Sequence, residues 1–202
     1  MIRLKTMIPL LAATLMLSAC LAQPHPQKNI FSLSPILDEA QAPRPVKRRT
    51  LLVGTASAAA GFDNRALVYR VGPDQFESDF YNEFLAPPPR LLVDLATQYL
   101  DARNAKVRAV KTPGLTLADF GLETYLESLY GDFTVNQPQA VVKVKYTLND
   151  LRGARPRILL DKTYQAERPF GDRSPAGLVA ALNDGLDQIL AELNRDIEKA
   201  AR

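Results

Sequence analysis

Apolar and polar residues alternate most regularly over Ala140 to Asn149, AVVKVKYTLN, where Val142, Val144, Tyr146 and Leu148 share one face and Lys143, Lys145 and Thr147 the other. A period of two is that of a strand with one buried and one wet face. Asp150 to Pro156 is polar and reads as a hairpin loop, with Arg157 to Phe170 as the returning strand. A second alternation, Arg65 to Val71, places Leu67, Tyr69 and Val71 on one face. Gly72-Pro73-Asp74 turns it into Gln75 to Phe84, so a second hairpin is expected, with Phe76, Phe80 and Phe84 set among polar residues. Shorter strands are expected at Asn29 to Ser34, Arg49 to Ser57 and Lys106 to Lys111. Glu123 to Phe133 fits either period, and its place between strands favours a strand.

Two segments carry the helical period. Leu92, Leu95, Ala96 and Tyr99 recur at i, i+3, i+4, i+7, which predicts a helix over Arg90 to Arg103 with Pro89 at its start. Leu178, Leu182, Leu186, Ile189, Leu193 and Ile197 form a longer stripe behind Ser174-Pro175, a strong start signal. The stripe is read as packing on the sheet, with an exposed part available to a partner helix as the alternative. This order of elements predicts an α+β domain: a mainly antiparallel sheet with two helices on one face. The small-residue run Gly54 to Gly61 lacks the Gly-Lys-Ser/Thr ending of a phosphate-cradling loop and is read as core packing.

The first twenty residues follow a different pattern. Arg3 and Lys5 precede an apolar run, Met7 to Leu17, that is too short to span a bilayer, and Leu17-Ser18-Ala19-Cys20 closes it with small residues before a cysteine. The stretch resembles a bacterial lipoprotein precursor, which implies cleavage before Cys20 and acylation of that residue. Ordinary signal cleavage near Ala19 or Ala22 is the alternative reading. The expected organisation is a signal peptide at 1–19, a lipidated N-terminus and tether at 20–28, and one domain at 29–202. Residue 21 is Leu and not Asp, which by the same resemblance favours the periplasmic face of the outer membrane.

Charge and composition narrow the function. Arg3 and Lys5 belong to the signal, so the 25 basic and 22 acidic residues of the whole chain become 23 and 22 after residue 19. Nucleic acid is therefore not an expected partner. The clusters at Lys47 to Arg49 and Arg152 to Arg157 read as a solvated strand start and a solvated loop. Cys20 is the only cysteine, and the only histidine, His25, lies between two prolines of the tether. No Ser-His-Asp set, Cys-His pair or zinc-binding set can be assembled, so neither a catalytic nor a metal site is expected. Carboxylate pairs such as Glu123 with Glu127 or Asp184 with Asp187 are what solvated faces produce by default.

Phe31-Ser32-Leu33, RALVYR at Arg65 to Arg70, EFLAPPPRLL from Glu83 to Leu92 and PAGLVAALNDGLDQILAEL at Pro175 to Leu193 follow the lipobox in order. Together they resemble the ABC-type transport auxiliary lipoproteins, the group that includes the PqiC-like lipoproteins of MCE transport systems. The chain departs from many relatives in having no Trp before the prolines, where Phe84 or Leu85 stands instead. The resemblance implies a non-enzymatic accessory of an MCE-type ABC system that moves lipids or other hydrophobic compounds across the envelope. It implies an MCE-domain subunit as partner, the outer membrane as support through the lipid on Cys20, homo-oligomers, and no cofactor. The expected docking surface is Phe76, Phe80, Phe84, Pro87 and Pro88, with an aromatic face packed under the helix as its alternative. An assembly lipoprotein of an outer-membrane complex, unconnected with transport, is the second reading of the whole chain.

Overall fold

A computed structural model describes residues 27–34, 48–112 and 117–201, so Cys20 and His25 lie outside the described residues. Among the described residues eight strands and two helices follow one another in a single α+β domain. They are β1 (Asn29–Phe31), β2 (Arg49–Ala58), β3 (Ala66–Gly72), β4 (Gln75–Phe84), α1 (Pro88–Arg103), β5 (Val107–Val110), β6 (Phe120–Asp132), β7 (Gln139–Asp150), β8 (Arg157–Pro169) and α2 (Pro175–Ala200).

Strands β6, β7 and β8 form a long antiparallel ribbon in which β7 keeps the predicted alternation, Val142 to Leu148 buried at every second position. The opposite edge of β6 is shared. β2 runs parallel to it from Leu51 to Ala58, and β3 runs parallel to its end at Tyr69 and Arg70. β5 extends the sheet beside β2, while β4 and then β1 extend it beside β3.

The mainly antiparallel sheet expected from the sequence is thus a mixed one. Hairpin turns announce β3–β4, β6–β7 and β7–β8, which are antiparallel; β1–β4, β2–β5, β2–β6 and β3–β6 are parallel. Parallel neighbours are joined by returning chain, such as the stretch from β3 through α1 that separates β2 from β5, which leaves no periodic trace in either strand.

Both helices lie on one face and touch each other, α1 over β2, β5 and β6 and α2 over β7 and β8. All six residues of the α2 stripe are at most 1% exposed, so none of it is left for a partner helix. Each such side chain contributes on the order of 1.5–3 kcal/mol by burial. Ser174 caps α2 by accepting from the Gly177 amide at 3.0 Å, and Asp172 in turn accepts from the Ser174 amide and hydroxyl. Residue 177 has to be glycine, because a Cβ there would stand 2.1 Å from the Asp172 carbonyl oxygen. At α1, Pro87 occupies the cap position and prolines follow in the first turn, where no N–H is required.

The far end of α1 is locked by two polar side chains. Asn104 is 2% exposed; its Oδ1 accepts from the Lys106 and Val107 amides at 2.9 and 3.0 Å, and its Nδ2 donates to Asn194 Oδ1 of α2 at 2.8 Å. Arg48, expected in solvent, has a side chain only 9% exposed. It donates to the carbonyls of Asp101, Asn104 and Val107 and to the Asp101 carboxylate. A guanidinium brings five donors in a fixed fork, enough to tie the helix end to the start of β5.

Under α2 the Tyr146 hydroxyl is buried with no hydrogen-bond partner among the described residues. Burial also pushes its pKa above the usual tyrosine value. Removing an orphaned hydroxyl and removing a satisfied hub have opposite consequences. Tyr146→Phe should leave stability unchanged or raise it by up to about 1 kcal/mol, whereas Asn104→Ala should cost about 1–3 kcal/mol. Urea unfolding midpoints of the two variants check that contrast.

Candidate functional site

The β3–β4 hairpin is irregular where the sequence reads as regular. Ala66 pairs with Glu83 but Val68 pairs with Ser78, so two steps along β3 face five along β4. The interruption disturbs the expected face of β3: Leu67 and Val68 are buried, Tyr69 is half-buried and Val71 is exposed. The surplus residues of β4 form a bulge over Asp79–Asn82, built around one carboxylate. Asp79 Oδ1 accepts from the amides of Tyr81 and Asn82 at 2.8 and 3.0 Å; Oδ2 accepts from the Tyr69 hydroxyl at 2.7 Å and from Asn82 Nδ2 at 2.8 Å.

With the backbone held in this way, Phe80 and Tyr81 project outward, 68% and 47% exposed, their rings edge to face at 5.2 Å. Lys28 Nζ lies 4.6 Å from the Phe80 ring centroid and 3.5 Å from the Glu83 carboxylate, which also pairs with Arg65 at 3.0 Å.

The five residues expected to form one docking surface are split. Phe84 is 2% exposed and packs in the core, and Pro88 is buried in the first turn of α1. They face inward because β4 must deliver the chain to α1 beneath the hairpin, so for these two the alternative reading, packing under the helix, describes the structure. Phe76 is half-exposed, edge-on to Tyr130 at 5.3 Å. Phe80 stands on the bulge, and Pro87 is exposed beside a separate groove.

That groove, of about 950 Å³, runs between β2 and the start of α1. Gly54, Ala56 and Ala58 line its strand side and Pro87, Pro89 and Val93 its helix side, with the Lys111–Asp94 ion pair (2.6 Å) among its lining residues. The small-residue run read as core packing is therefore half-buried and borders an open groove. β5 covers β2 only from Arg49 to Leu52, so beyond Leu52 no described strand pairs with the outer edge of β2.

Of the carboxylates considered from sequence, Glu123 and Glu127 are each engaged elsewhere. Glu127 takes Lys143 at 2.9 Å and the Thr163 hydroxyl, which hold its pKa below the usual range, and Glu123 accepts from Asn149. A general acid would need the opposite shift. Among the described residues no cluster of His, Cys, Asp or Glu is arranged to hold a metal ion.

With that geometry in place, the comparison with known proteins is direct. The family model described as "ABC-type transport auxiliary lipoprotein component" matches residues 31–194. The chain belongs to this family. It is an auxiliary lipoprotein component of ABC-type transport, and the match takes in every described strand and helix except the first two residues of β1 and the last six of α2. No curated protein matches the chain. Of solved structures, protein XCC0632 from Xanthomonas campestris is similar over 85% of this lipoprotein and 96% of its own chain, with 20% identity and a TM-score of 0.69. The hypothetical protein CT253 from Chlamydia trachomatis is similar over 77% and 98%, with 10% identity and a TM-score of 0.55. At these identities the likeness is one of fold.

The bulge makes the hairpin acid-sensitive. Partial burial opposes ionisation of Asp79, but the hydrogen bonds from Tyr69, Asn82 and the two amides outweigh it and hold its pKa below the ordinary aspartate value. A lowered folded-state pKa contributes stability that is present above the unfolded value of about 3.9 and is lost as pH falls through the folded one. Asp132 and Asp196 are lowered as well, so the melting temperature of the lipoprotein should fall steeply in acid. Asp79→Asn should melt lower at neutral pH and show a shallower acid decline. An unchanged decline in melting curves taken across the acid range would remove Asp79 from this role.

Proposed function

We propose that this lipoprotein is held at the periplasmic face of the outer membrane by acylated Cys20 and serves an MCE-type ABC system that moves lipids or other hydrophobic compounds across the envelope. The observation that carries this reading is the family match over residues 31–194. The lipobox at Leu17 to Cys20, followed by Leu21, supports the anchor and its place. Among the described residues no helix is long and apolar enough to cross a membrane, which accords with attachment through lipid.

The domain's part is docking, with the ATPase and permease as other chains. Its partner is the MCE-domain subunit, and its contacts are drawn from two of the three exposed members of the expected surface, Phe76 and Pro87, with the groove beside Pro87. Catalysis has no part in this role. Self-association into a homo-oligomer, which the family resemblance implies, belongs to the same reading.

The test is crosslinking of tagged, full-length lipoprotein in the envelope of its own host, followed by mass spectrometry of the chains recovered. An MCE subunit should be recovered with the wild type and be lost or severalfold weaker with Cys20→Ala. Recovery of outer-membrane barrel or assembly proteins with no MCE or ABC component would replace transport with the assembly role.

A further inference from the structure

The Asp79–Asn82 bulge adds nothing to the β3–β4 ladder, yet four hydrogen bonds to one carboxylate fix its shape. What this scaffold achieves is the outward display of Phe80 and Tyr81. They are not isolated. Ile30 of β1 is 56% exposed and pairs with Glu83, and Leu85, just past the end of β4, is 59% exposed. Four large apolar side chains therefore cluster in sequence and register around Lys28 and Arg65, which share the single carboxylate of Glu83. An exposed apolar group of this size, rimmed by charge, marks an interaction site.

Position along the chain identifies what it meets. Lys28, whose ammonium lies over the Phe80 ring, is the eighth residue after Cys20. Eight residues span at most about 28 Å when fully extended, and about 16 Å on average as a flexible chain. A bilayer holding the acyl chains of Cys20 is thus within reach of this patch through the shortest stretch of sequence that joins any described part of the domain to the lipid.

We propose that Phe80 and Tyr81, with Ile30 and Leu85 beside them, enter the interfacial region of the bilayer that holds acylated Cys20 and set the orientation of the domain on it. The proposal rests on the anchoring of Cys20 proposed above. Acyl chains retain a protein at a membrane but leave a tethered domain free to tumble, and a short tether keeps the effective concentration of the surface in the millimolar range. A contact too weak to bind a free domain then suffices to orient a tethered one. Aromatic rings suit the headgroup level of a bilayer.

The chain contains no tryptophan, so one introduced Trp reports without background. Full-length acylated Phe80→Trp and, in parallel, Tyr81→Trp would be reconstituted in phosphatidylethanolamine/phosphatidylglycerol vesicles with and without bromine on the acyl chains. Ile158→Trp is the control: it is 61% exposed near the start of β8, opposite Asn149 and away from the hairpin. The proposal expects blue-shifted emission and loss of most of the intensity to bromine for Phe80→Trp or Tyr81→Trp, and several-fold less quenching for Ile158→Trp. Equal, weak quenching at all three positions, with Cys20 shown acylated by mass, would overturn the oriented contact and leave the anchor standing. A blue shift that arises only when an envelope protein is added, without bromine quenching, would assign the patch to a protein partner and overturn it equally. An unmodified Cys20 would show the anchoring itself to be wrong, and the membrane contact would fall with it.

Discussion

Strand β6 has one edge left once β7 has taken the other, and two strands must share it. β2 occupies the first part and β3 the end, both parallel to β6, as though one long strand had been cut by the excursion of residues 59–65. Gly61, at φ 92°, supplies the turn that L side chains avoid, and Phe62 stacks on Tyr130 of β6 at 6.2 Å beside the gap. Tyr130 also receives the edge of Phe76, so the same ring holds both the excursion and the hairpin. Backbone pairing on β6 decides where every later element can stand.

Each open feature follows from that sharing. Because β3 pairs with β6 only at Tyr69 and Arg70, the β3–β4 hairpin is supported at one end of the sheet and has room for the surplus residues of its bulge. Because β5 is short, β2 loses its outer neighbour after Leu52 just where its side chains become small, and the groove opens there. The far end of α1 and the whole of α2 are closed by contrast. Arg48 and Asn104 satisfy the carbonyls and amides at the end of α1, and the α2 stripe fills the space over β7 and β8.

Periodicity made most of this framework legible. β7, β8, both helices and the second hairpin stand where alternation, caps and turn residues place them, and the α+β class follows. Three things were hidden for physical reasons. Parallel pairing was missed because a strand's side-chain pattern is the same whichever way its neighbour runs. Arg48 read as solvated because a basic triplet carries no sign of three carbonyls waiting at a helix end. Phe84 read as part of an exposed aromatic run because the bulge that separates it from Phe80 depends on Asp79 finding Tyr69 across the hairpin, ten residues earlier. An Asp followed two residues later by Tyr-Asn is a weak Asx-turn signal, and it was the one local cue available.

Two outer edges of the sheet differ in how they are guarded. β8 exposes Asp161, Lys162, Gln165 and Glu167, and its cross-strand partners include the Lys145–Asp161 pair at 3.0 Å, the kind of charged edge that resists further strand pairing. The free part of β2 has no such defence: Gly54, Thr55, Ala56, Ser57 and Ala58 are small and uncharged, and the charges nearby stand on α1, after β5 and at Asp63 of the excursion. An unguarded edge of this kind invites pairing or aggregation unless something covers it. The exposed aromatics of the bulge carry the same liability and lie on the same side of β6. Both uncovered regions therefore belong to the half of the sheet that receives β1 and, through it, the tether. The ribbon of β7 and β8 turns a charged edge to water, whereas the exposed aromatics and the small-residue edge stand together in the other half.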